Sequence, residues 1–172
     1  MSIARSLLIF GAVAAAGTVL AACETVPSGP SGMAGPAAFR TDDFNWSTGS
    51  GRASIEGRVD YRRDGQAFSC TGSVALTPDT PYTRARFRTL YGSTERAAVP
   101  AAVVRARDIP DPNANYRSYV RSTACTNGRF SFSGLPDGGW FVIAPVSAGG
   151  EAPLVLMRHV DTRAGRAANI TL

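Results

Sequence analysis

The stretch CTNGRFSFSGLPDGGWFVIAP, residues 125–145, decides the fold class of this chain. Phe130 and Phe132 alternate with serines, which is the two-residue period of a strand that buries one face. The run Leu-Pro-Asp-Gly-Gly at residues 135–139 indicates a tight turn, because proline presets its backbone angle and glycine accepts a positive φ. Residues 140–146 are almost all apolar, as expected of a strand covered on both faces. The stretch therefore predicts two strands joined by a tight turn.

Short runs of the same kind, separated by turn residues, continue in both directions along the chain. Residues 53–61, 67–78, 153–160 and 168–172 each read as a strand. Within residues 67–78 the apolar side chains fall on even positions, and Cys70 is one of them, so its thiol is expected on the core face. Several short strands at this spacing predict an all-β sandwich or barrel.

Residues 81–92 allow two readings. As a helix, the segment brings three apolar side chains together at i, i+3 and i+4: Phe87, Leu90 and Tyr91. As a strand, it would turn three arginines outward: Arg84, Arg86 and Arg88. We favour a short helix, because Pro81 suits the first helical turn and Gly92 suits the end.

The segments that follow are less regular. Residues 98–109 are predicted to form a strand or an extended edge, and residues 108–115 a loop. Residues 116–125 are predicted to form a strand. Its buried face stays open, because both the odd and the even positions carry apolar and polar side chains.

The N-terminus has the parts of an export signal. Arg5 supplies a positive charge, and residues 7–20 form an uncharged, mostly apolar run. Its length of about 14 residues fits a signal-peptide core better than a membrane span, which needs about 20. The run ends in Leu20-Ala21-Ala22-Cys23, which resembles the lipobox of bacterial lipoproteins. The resemblance implies cleavage before Cys23 and attachment of a diacylglycerol to its thiol.

Two alternatives to lipidation stay open. The chain could be cleaved after an Ala-x-Ala site such as residues 14–16, as in an ordinary secretory signal, or it could keep an uncleaved membrane anchor. By the resemblance to lipoproteins, Glu24 favours the outer membrane, since aspartate at that position is the usual signal for retention in the inner membrane. We therefore expect a lipid-anchored outer-membrane protein whose domain lies in the periplasm.

This reading divides the chain into three parts. Residues 1–22 are assigned to the signal peptide, residues 23–51 to the lipid anchor and a flexible tether, and residues 52–172 to the folded domain. The tether is rich in proline, glycine and serine and has too little apolar surface to order itself. Phe44 and Trp46, near its end, are expected to begin docking onto the domain.

The cysteine count agrees with export. If Cys23 carries lipid, Cys70 and Cys125 remain as an even pair in an oxidising compartment. We predict that these two form a disulfide. The alternative is two free, buried thiols.

The chain is mildly basic, with eighteen arginines, no lysine and thirteen acidic residues. A basic chain in the cytoplasm could bind nucleic acid, but an exported domain does not meet it. The polyanions of the envelope remain: anionic lipid headgroups, lipopolysaccharide and the carboxylates of peptidoglycan. The sequence therefore predicts contact with the membrane through the lipid anchor, and an envelope protein, a glycan or an anionic lipid as partner of the domain.

The stretch at residues 125–145 also resembles a carboxypeptidase regulatory-like domain, the prealbumin-like or transthyretin-type fold. The shared features are a turn with glycine, the form Gly-x-Phe-x-Phe, then Leu-Pro-x-Gly and an aromatic-led strand. Residues 57–59, 72–76 and 169–172 match the other strands of that pattern. The resemblance spans residues 52–172 and implies a prealbumin-like β-sandwich of about seven strands.

Two features depart from that family. Residues 78–115 make a long insertion that contains the predicted short helix, and the two cysteines at positions 70 and 125 flank it. A disulfide between Cys70 and Cys125 would hold the two ends of the insertion together.

Catalytic residues are scarce. His159 is the only histidine, the chain has no Gly-x-Ser-x-Gly motif, and no cluster of ligands suits a metal. We predict no catalytic residue, no metal and no cofactor, and His159 is expected to be structural. The function predicted is a non-catalytic binding or assembly module, with an envelope enzyme as a less favoured reading.

The insertion offers one candidate binding patch. Its arginines could hold a carboxylate through paired hydrogen bonds, and its aromatic rings could stack on a ligand. This alternative makes the domain a receptor for an anionic glycan or peptide. The candidate residues are Arg84, Arg86, Arg88 and Tyr91.

Overall fold

The computed structural model describes residues 37–107, 114–150 and 152–172. The first part of the domain contains a 3-10 helix Thr41–Thr48, strands β1 Ala53–Arg58, β2 Tyr61–Arg63, β3 Gln66–Cys70 and β4 Ser73–Pro78, helix α1 Pro81–Tyr91, β5 Arg96–Pro100 and helix α2 Ala101–Ala106. The second part contains a 3-10 helix Ala114–Tyr119 and strands β6 Arg121–Ala124, β7 Arg129–Leu135, β8 Gly138–Ser147, β9 Leu154–Thr162 and β10 Ala167–Thr171. The predicted signal peptide and Cys23 lie outside the described residues. Among the residues described, no helix is long and apolar enough to cross a membrane.

The strands form two sheets that pack as a sandwich. The small sheet has the order β10-β1-β7, in which β1 pairs parallel with β10 and antiparallel with β7. The large sheet has the order β5-β9-β8-β4-β6, and β3 pairs with β8 beyond the end of β4. Strand β2 extends it by pairing with β3. The predicted all-β sandwich is confirmed, with ten strands among the described residues instead of about seven.

The core lies between the two sheets, where alternate side chains of each strand point inward. Phe130 and Phe132 are buried as their alternation predicts, and Leu135 at the tight turn is fully buried. Trp140 leads β8 into the core, and its Nε1 donates a hydrogen bond to Oγ1 of Thr162 at 3.1 Å. The indole therefore fills core volume without leaving its N–H unpaired.

Helix α1 covers the outer face of the large sheet. Thr80 caps its N-terminus, since its hydroxyl accepts from the N–H of Thr83, and Gly92 ends it at φ 75°. Phe87 packs edge-on against Phe141, with ring centroids 4.8 Å apart. The short helix predicted at residues 81–92 is thus confirmed. The helix also explains why residues 140–146 are apolar on both sides, because α1 covers their second face.

Two segments differ from the predictions. The strand or extended edge expected at residues 98–109 stops at Pro100 and continues as helix α2, in which the N–H of Ala101 donates to the carbonyl of Pro153. The strand expected at residues 116–125 begins only with β6, because a 3-10 helix precedes it. That turn places Tyr119 against the ring of Phe44, with centroids 4.8 Å apart, which an extended chain would not do.

Two predicted strands are each divided. Residues 53–61 separate into β1 and β2, and the N–H of Asp60 between them donates to the carbonyl of Leu172. Residues 67–78 separate into β3 and β4 at Gly72, whose φ of 86° cannot belong to a continuous strand. The first break takes the chain from the small sheet to the large one, whereas the second interrupts two strands that both pair with β8.

The segment before residue 52 packs onto the domain. Phe44 is fully buried, and Trp46 contacts Trp140 with ring centroids 4.9 Å apart. Gly138 leaves room for this contact, since a Cβ there would lie 2.2 Å from the Trp46 ring. The packed structure therefore begins before residue 52, where we placed the start of the domain.

A disulfide joins Cys70 at the end of β3 to Cys125, which follows β6. Their Cα atoms are 6.1 Å apart, within the usual range for a disulfide. The predicted pairing is confirmed. The bond encloses the whole insertion, including α1, β5 and α2.

Candidate functional site

The helical form of residues 81–92 separates the predicted arginine patch. At 3.6 residues per turn, Arg84 and Arg88 lie on one face of α1, and Arg86, two residues from each, lies on the opposite side. Arg88 is exposed, whereas the guanidinium of Arg86 lies 5.2 Å from the centre of the Tyr116 ring. The structure therefore does not bring the three arginines together as one anion-binding group.

Arg84 belongs to a buried ion cluster that we did not predict. Its Nε donates to Oδ1 of Asp79 at 2.8 Å, and its Nη2 pairs with Oδ2 of the same carboxylate. Nε2 of His159 lies 2.8 Å from that Oδ2. The side chains of Asp79 and His159 are only 7% and 13% exposed, so the pair is largely withdrawn from water.

The cluster shifts the pKa of both buried partners. Burial alone would raise the pKa of Asp79, but hydrogen bonds from His159 and Arg84 outweigh it and hold that pKa below its ordinary value. The hydrogen bond to Asp79 raises the pKa of His159, against the opposing effect of burial. Both shifts favour the ionised forms, so the cluster is held together by charge as well as by hydrogen bonds.

The position of His159 fits a structural role. Its backbone N–H donates to the carbonyl of Glu95, and its ring packs edge-on against Phe141 at 5.2 Å. Gly139 gives the pair room, because a Cβ there would lie 3.0 Å from both Oδ2 of Asp79 and Nε2 of His159. Nε2 of His159 and the carboxylate of Asp79 hydrogen-bond to each other, and Arg84 of α1 pairs with the same carboxylate. The cluster therefore links α1 to β9.

A cleft of about 400 Å³ lies on the outer face of the large sheet, between α1 and the second 3-10 helix. Side chains of β4, β6 and β8 form its floor: Ala75, Thr77, Ser122 and Ile143. Side chains of α1, of the second 3-10 helix and of the residue that follows it form its walls: Phe87, Leu90, Tyr91, Tyr116, Arg117 and Val120. The cleft thus combines apolar and aromatic side chains with a few polar groups, two of them hydroxyls on its floor, which is the usual composition of a small-ligand site.

The aromatic walls of this cleft are held in place by neighbouring rings. Tyr91 packs edge-on against buried Phe87 at 5.4 Å, and Tyr116 packs against Tyr82 at 5.5 Å. Burial, with a smaller contribution from Tyr116, raises the pKa of Tyr91 to about 12. Its phenol is therefore neutral at physiological pH and keeps a proton to donate to a ligand.

Of the four predicted ligand residues, only Tyr91 lines the cleft. Arg86 lies beside it over the Tyr116 ring, whereas Arg84 belongs to the ion cluster. Sequence reasoning missed Tyr116 and Arg117, because it placed both in a strand of unknown facing. Their position inside the segment enclosed by the two cysteines was the one available indication.

The described residues contain no group of three or more His, Cys, Asp or Glu side chains that could hold a metal ion. The polar groups of the cleft are phenols, hydroxyls and a guanidinium, which donate and accept hydrogen bonds but are poor metal ligands. The cleft can therefore bind and orient a ligand through hydrogen bonds and ring contacts.

The fold has a counterpart of known structure. A crystal structure of a "putative carbohydrate binding protein" from Pseudomonas aeruginosa matches this chain with a TM-score of 0.58. The sequences are 20% identical, and the match covers 79% of this chain and 97% of that one. At this identity the likeness shows a shared fold. No family model matches the sequence, and no curated protein matches it either.

Proposed function

We propose that this domain is a non-catalytic binding module that takes a carbohydrate with an acidic group in the cleft between α1 and the second 3-10 helix. The observation that carries the proposal is the pair of tyrosines, Tyr91 and Tyr116, standing over a floor with two hydroxyl side chains, Thr77 and Ser122. The fold shared with a protein described as carbohydrate binding supports the same ligand class.

The chemistry of the cleft suits a sugar ring. A pyranose has a face of C–H groups that packs on an aromatic ring, and a rim of hydroxyls that needs both donors and acceptors. Phenol and aliphatic hydroxyl groups offer both in the same atom. The phenol of Tyr91 is protonated in the physiological range, and its raised pKa of about 12 extends this to more alkaline pH, so it can donate to a ring substituent.

The charge of the cleft favours an acidic sugar. Arg117 is the one charged side chain among the described residues that line it, and Arg86 lies over the Tyr116 ring at its side. A guanidinium binds a carboxylate through two parallel hydrogen bonds and binds a neutral sugar less strongly. We therefore place the acidic group of the ligand near Arg117.

We further propose that the domain is held at the outer membrane by lipid on Cys23, with the domain in the periplasm. The support is the sequence Leu20-Ala21-Ala22-Cys23 after a short apolar run. Two or more acyl chains anchor a protein stably, since each buried methylene contributes about 0.8 kcal/mol. The acidic carbohydrates of the envelope would then be within reach of the cleft.

The cleft is tested by calorimetric titration of the full chain with trigalacturonate and maltotriose, and by sedimentation with purified peptidoglycan and lipopolysaccharide. Tyr116→Ala should weaken trigalacturonate binding about tenfold through loss of ring contact. Arg117→Gln should weaken trigalacturonate but leave maltotriose unchanged. Arg88→Gln, an exposed arginine elsewhere on α1, is the matched control and should bind as the unmodified chain does.

Four results would contradict the cleft proposal. Unchanged affinity of Tyr116→Ala would exclude the cleft, and equal affinity for the acidic and the neutral trisaccharide would exclude the acidic ligand. Binding of none of the four probes would exclude carbohydrate. A preference for acidic peptides over all of them would make the domain a peptide receptor instead.

The lipid anchor is tested separately with Cys23→Ser. Cells fed labelled palmitate should label the unmodified chain and not the variant, and only the unmodified chain should partition into detergent. Thr25→Ser, two residues further on, is the control and should behave as the unmodified chain. A Cys23→Ser chain that still carries label and still enters detergent would overturn the anchor.

A further inference from the structure

A second cavity opens at the edge of the sandwich, between the two sheets. It has a volume of about 400 Å³. Strands β5 and β9 form one side of it through Arg96, Ala98, Leu156 and Arg158. Tyr61 of β2 and Leu172 after β10 form the other side. The cavity is thus a crevice with two arginines at one end and apolar side chains along its length.

The two arginines stand directly opposite each other. Arg96 of β5 is the register partner of Arg158 of β9 in an antiparallel pair. Like charges in this arrangement repel and destabilise the pairing of the strands. No ion pair of either guanidinium with a carboxylate occurs among the described residues. The arrangement is one that a bound anion would stabilise.

Arg158 is fixed in the crevice, because its Nη1 donates to the carbonyl of Thr171 at 2.6 Å. This contact crosses from the large sheet to the small one, so the guanidinium lies between the sheets and not on the outer surface. Arg96 is exposed and closes the same end from β5. One guanidinium is therefore held in position by a hydrogen bond, and the other is exposed to solvent at the same end of the crevice.

The rest of the crevice is apolar. Leu156 is 3% exposed and belongs to a core cluster with Phe68 and Leu154, and Tyr61 and Leu172 pack against the same cluster. A ligand that enters beside the arginines would meet aliphatic and aromatic surface. An alkyl chain gains free energy from such burial in proportion to the apolar area it removes from water.

We infer that this crevice binds a single-chain amphiphile, an alkyl carboxylate of the fatty-acid type. The carboxylate lies between Arg96 and Arg158, where it relieves their repulsion and accepts hydrogen bonds from both. The alkyl chain lies along Ala98 and Leu156 towards Leu172. The combination of a cationic pair with an adjoining apolar channel is what selects this chemistry over a free anion or a neutral lipid.

This site is independent of the cleft beneath α1. The cleft lies on the outer face of the large sheet, where Ile143 and Thr77 point. Leu156 and Arg158 point to the inner face, between the sheets. The two sites share no lining residue among those described, so a change at one is expected to leave the other intact.

The test is calorimetric titration of the full chain carrying Cys23→Ser, so that no lipid of its own competes. The probes are dodecanoate, tetraethylene glycol monododecyl ether with the same chain and a neutral head that is not a sugar, and acetate with the same head and no chain. Dodecanoate should bind. The two other probes should bind at least about tenfold more weakly, because one lacks the carboxylate that pairs with the arginines and the other lacks the alkyl chain.

Two variants locate the site. Arg96→Gln should weaken dodecanoate about tenfold, since it removes one charge-assisted contact and leaves Arg158 in place. Ala98→Phe should fill the channel and weaken dodecanoate without changing charge. The control is Arg88→Gln, and circular dichroism checks that every variant is folded.

The inference is overturned by several outcomes. No binding of dodecanoate to the unmodified chain would exclude the site, and equal binding to Arg96→Gln would place the ligand elsewhere. Tetraethylene glycol monododecyl ether that binds as tightly as dodecanoate would show that the arginines play no part. Acetate that binds as tightly would reduce the site to an adventitious anion only. Trigalacturonate binding is measured on the same variants, so failure here is distinguishable from failure of the cleft.

Discussion

Nε2 of His159 lies 2.8 Å from Oδ2 of Asp79, across 80 positions of sequence. Asp79 directly precedes the cap of α1, and His159 lies in the centre of β9. The contact therefore fastens the first residues of the insertion to the large sheet. Arg84, one turn into α1, pairs with the same carboxylate, so the helix itself is also linked to His159 through Asp79.

The stability contributed by this pair should depend on pH. Because the pKa of His159 is raised above 6.5, its contribution is full below pH 6.5 and is lost as the pH rises through the folded-state value. Because the pKa of Asp79 is lowered from 3.8, its contribution is full above that pH and is lost as the pH falls through the folded-state value. The pair should thus stabilise most at about pH 5.

His159→Gln tests this dependence, because the amide keeps a hydrogen bond but not the charge. We expect it to lower the free energy of unfolding by about 1–2 kcal/mol at pH 5 and by less at pH 9, as measured by urea denaturation. Asp79→Asn should show the same trend. A difference that stays constant from pH 5 to pH 9 would contradict a charged pair.

Arg84 and Arg88 share a face of α1 but should behave differently. Arg84→Gln removes contacts to Asp79, although its own side chain is 46% exposed, so we expect a loss of about 1 kcal/mol or less. Arg88→Gln should leave the free energy of unfolding within about 0.5 kcal/mol. Neither variant should alter trigalacturonate binding. If Arg84→Gln weakened trigalacturonate binding without changing the free energy of unfolding, Arg84 would have to be a ligand-binding residue after all.

The disulfide should contribute strongly to stability. Cys70 and Cys125 are separated by 55 residues, so their bond restricts a long loop in the unfolded chain. Replacing both by serine should lower the free energy of unfolding by about 4 kcal/mol. Urea denaturation measures the loss, and thiol titration of the denatured, unreduced chain checks the bond. Two reactive thiols besides Cys23 in that titration would show that the pair is not oxidised.

Phe44 should anchor the segment that precedes residue 52. The side chain is fully buried beside Tyr82 and Tyr119, so Phe44→Ala should cost about 3 kcal/mol in thermal or urea unfolding. Asn45→Ala, an exposed neighbour in the same 3-10 helix, is the control and should cost less than about 0.5 kcal/mol. Equal effects of the two substitutions would place the start of the folded domain later in the chain.

Local periodicity was enough to predict the class of fold and its central strands. Phe130, Phe132 and residues 140–146 carry a pattern that depends only on which side chains must be buried, and burial is an average property of a strand. The cap and stop residues of α1 act within one helical turn, so its ends were also readable from neighbouring residues. Pairing of Cys70 with Cys125 followed from counting thiols in an exported chain.

The candidate sites depended on the folded chain. The fastening of Asp79 by His159, the meeting of Tyr91 with Tyr116 and the opposition of Arg96 to Arg158 each join residues distant in sequence. The arginines at 84, 86 and 88 form one patch only if the segment is extended. In a helix each residue is rotated by about 100° from the last, so Arg86 faces away from the other two. Such contacts are set by strand register and by the path of the insertion across the sheet, and neither quantity is contained in the pattern of any single segment.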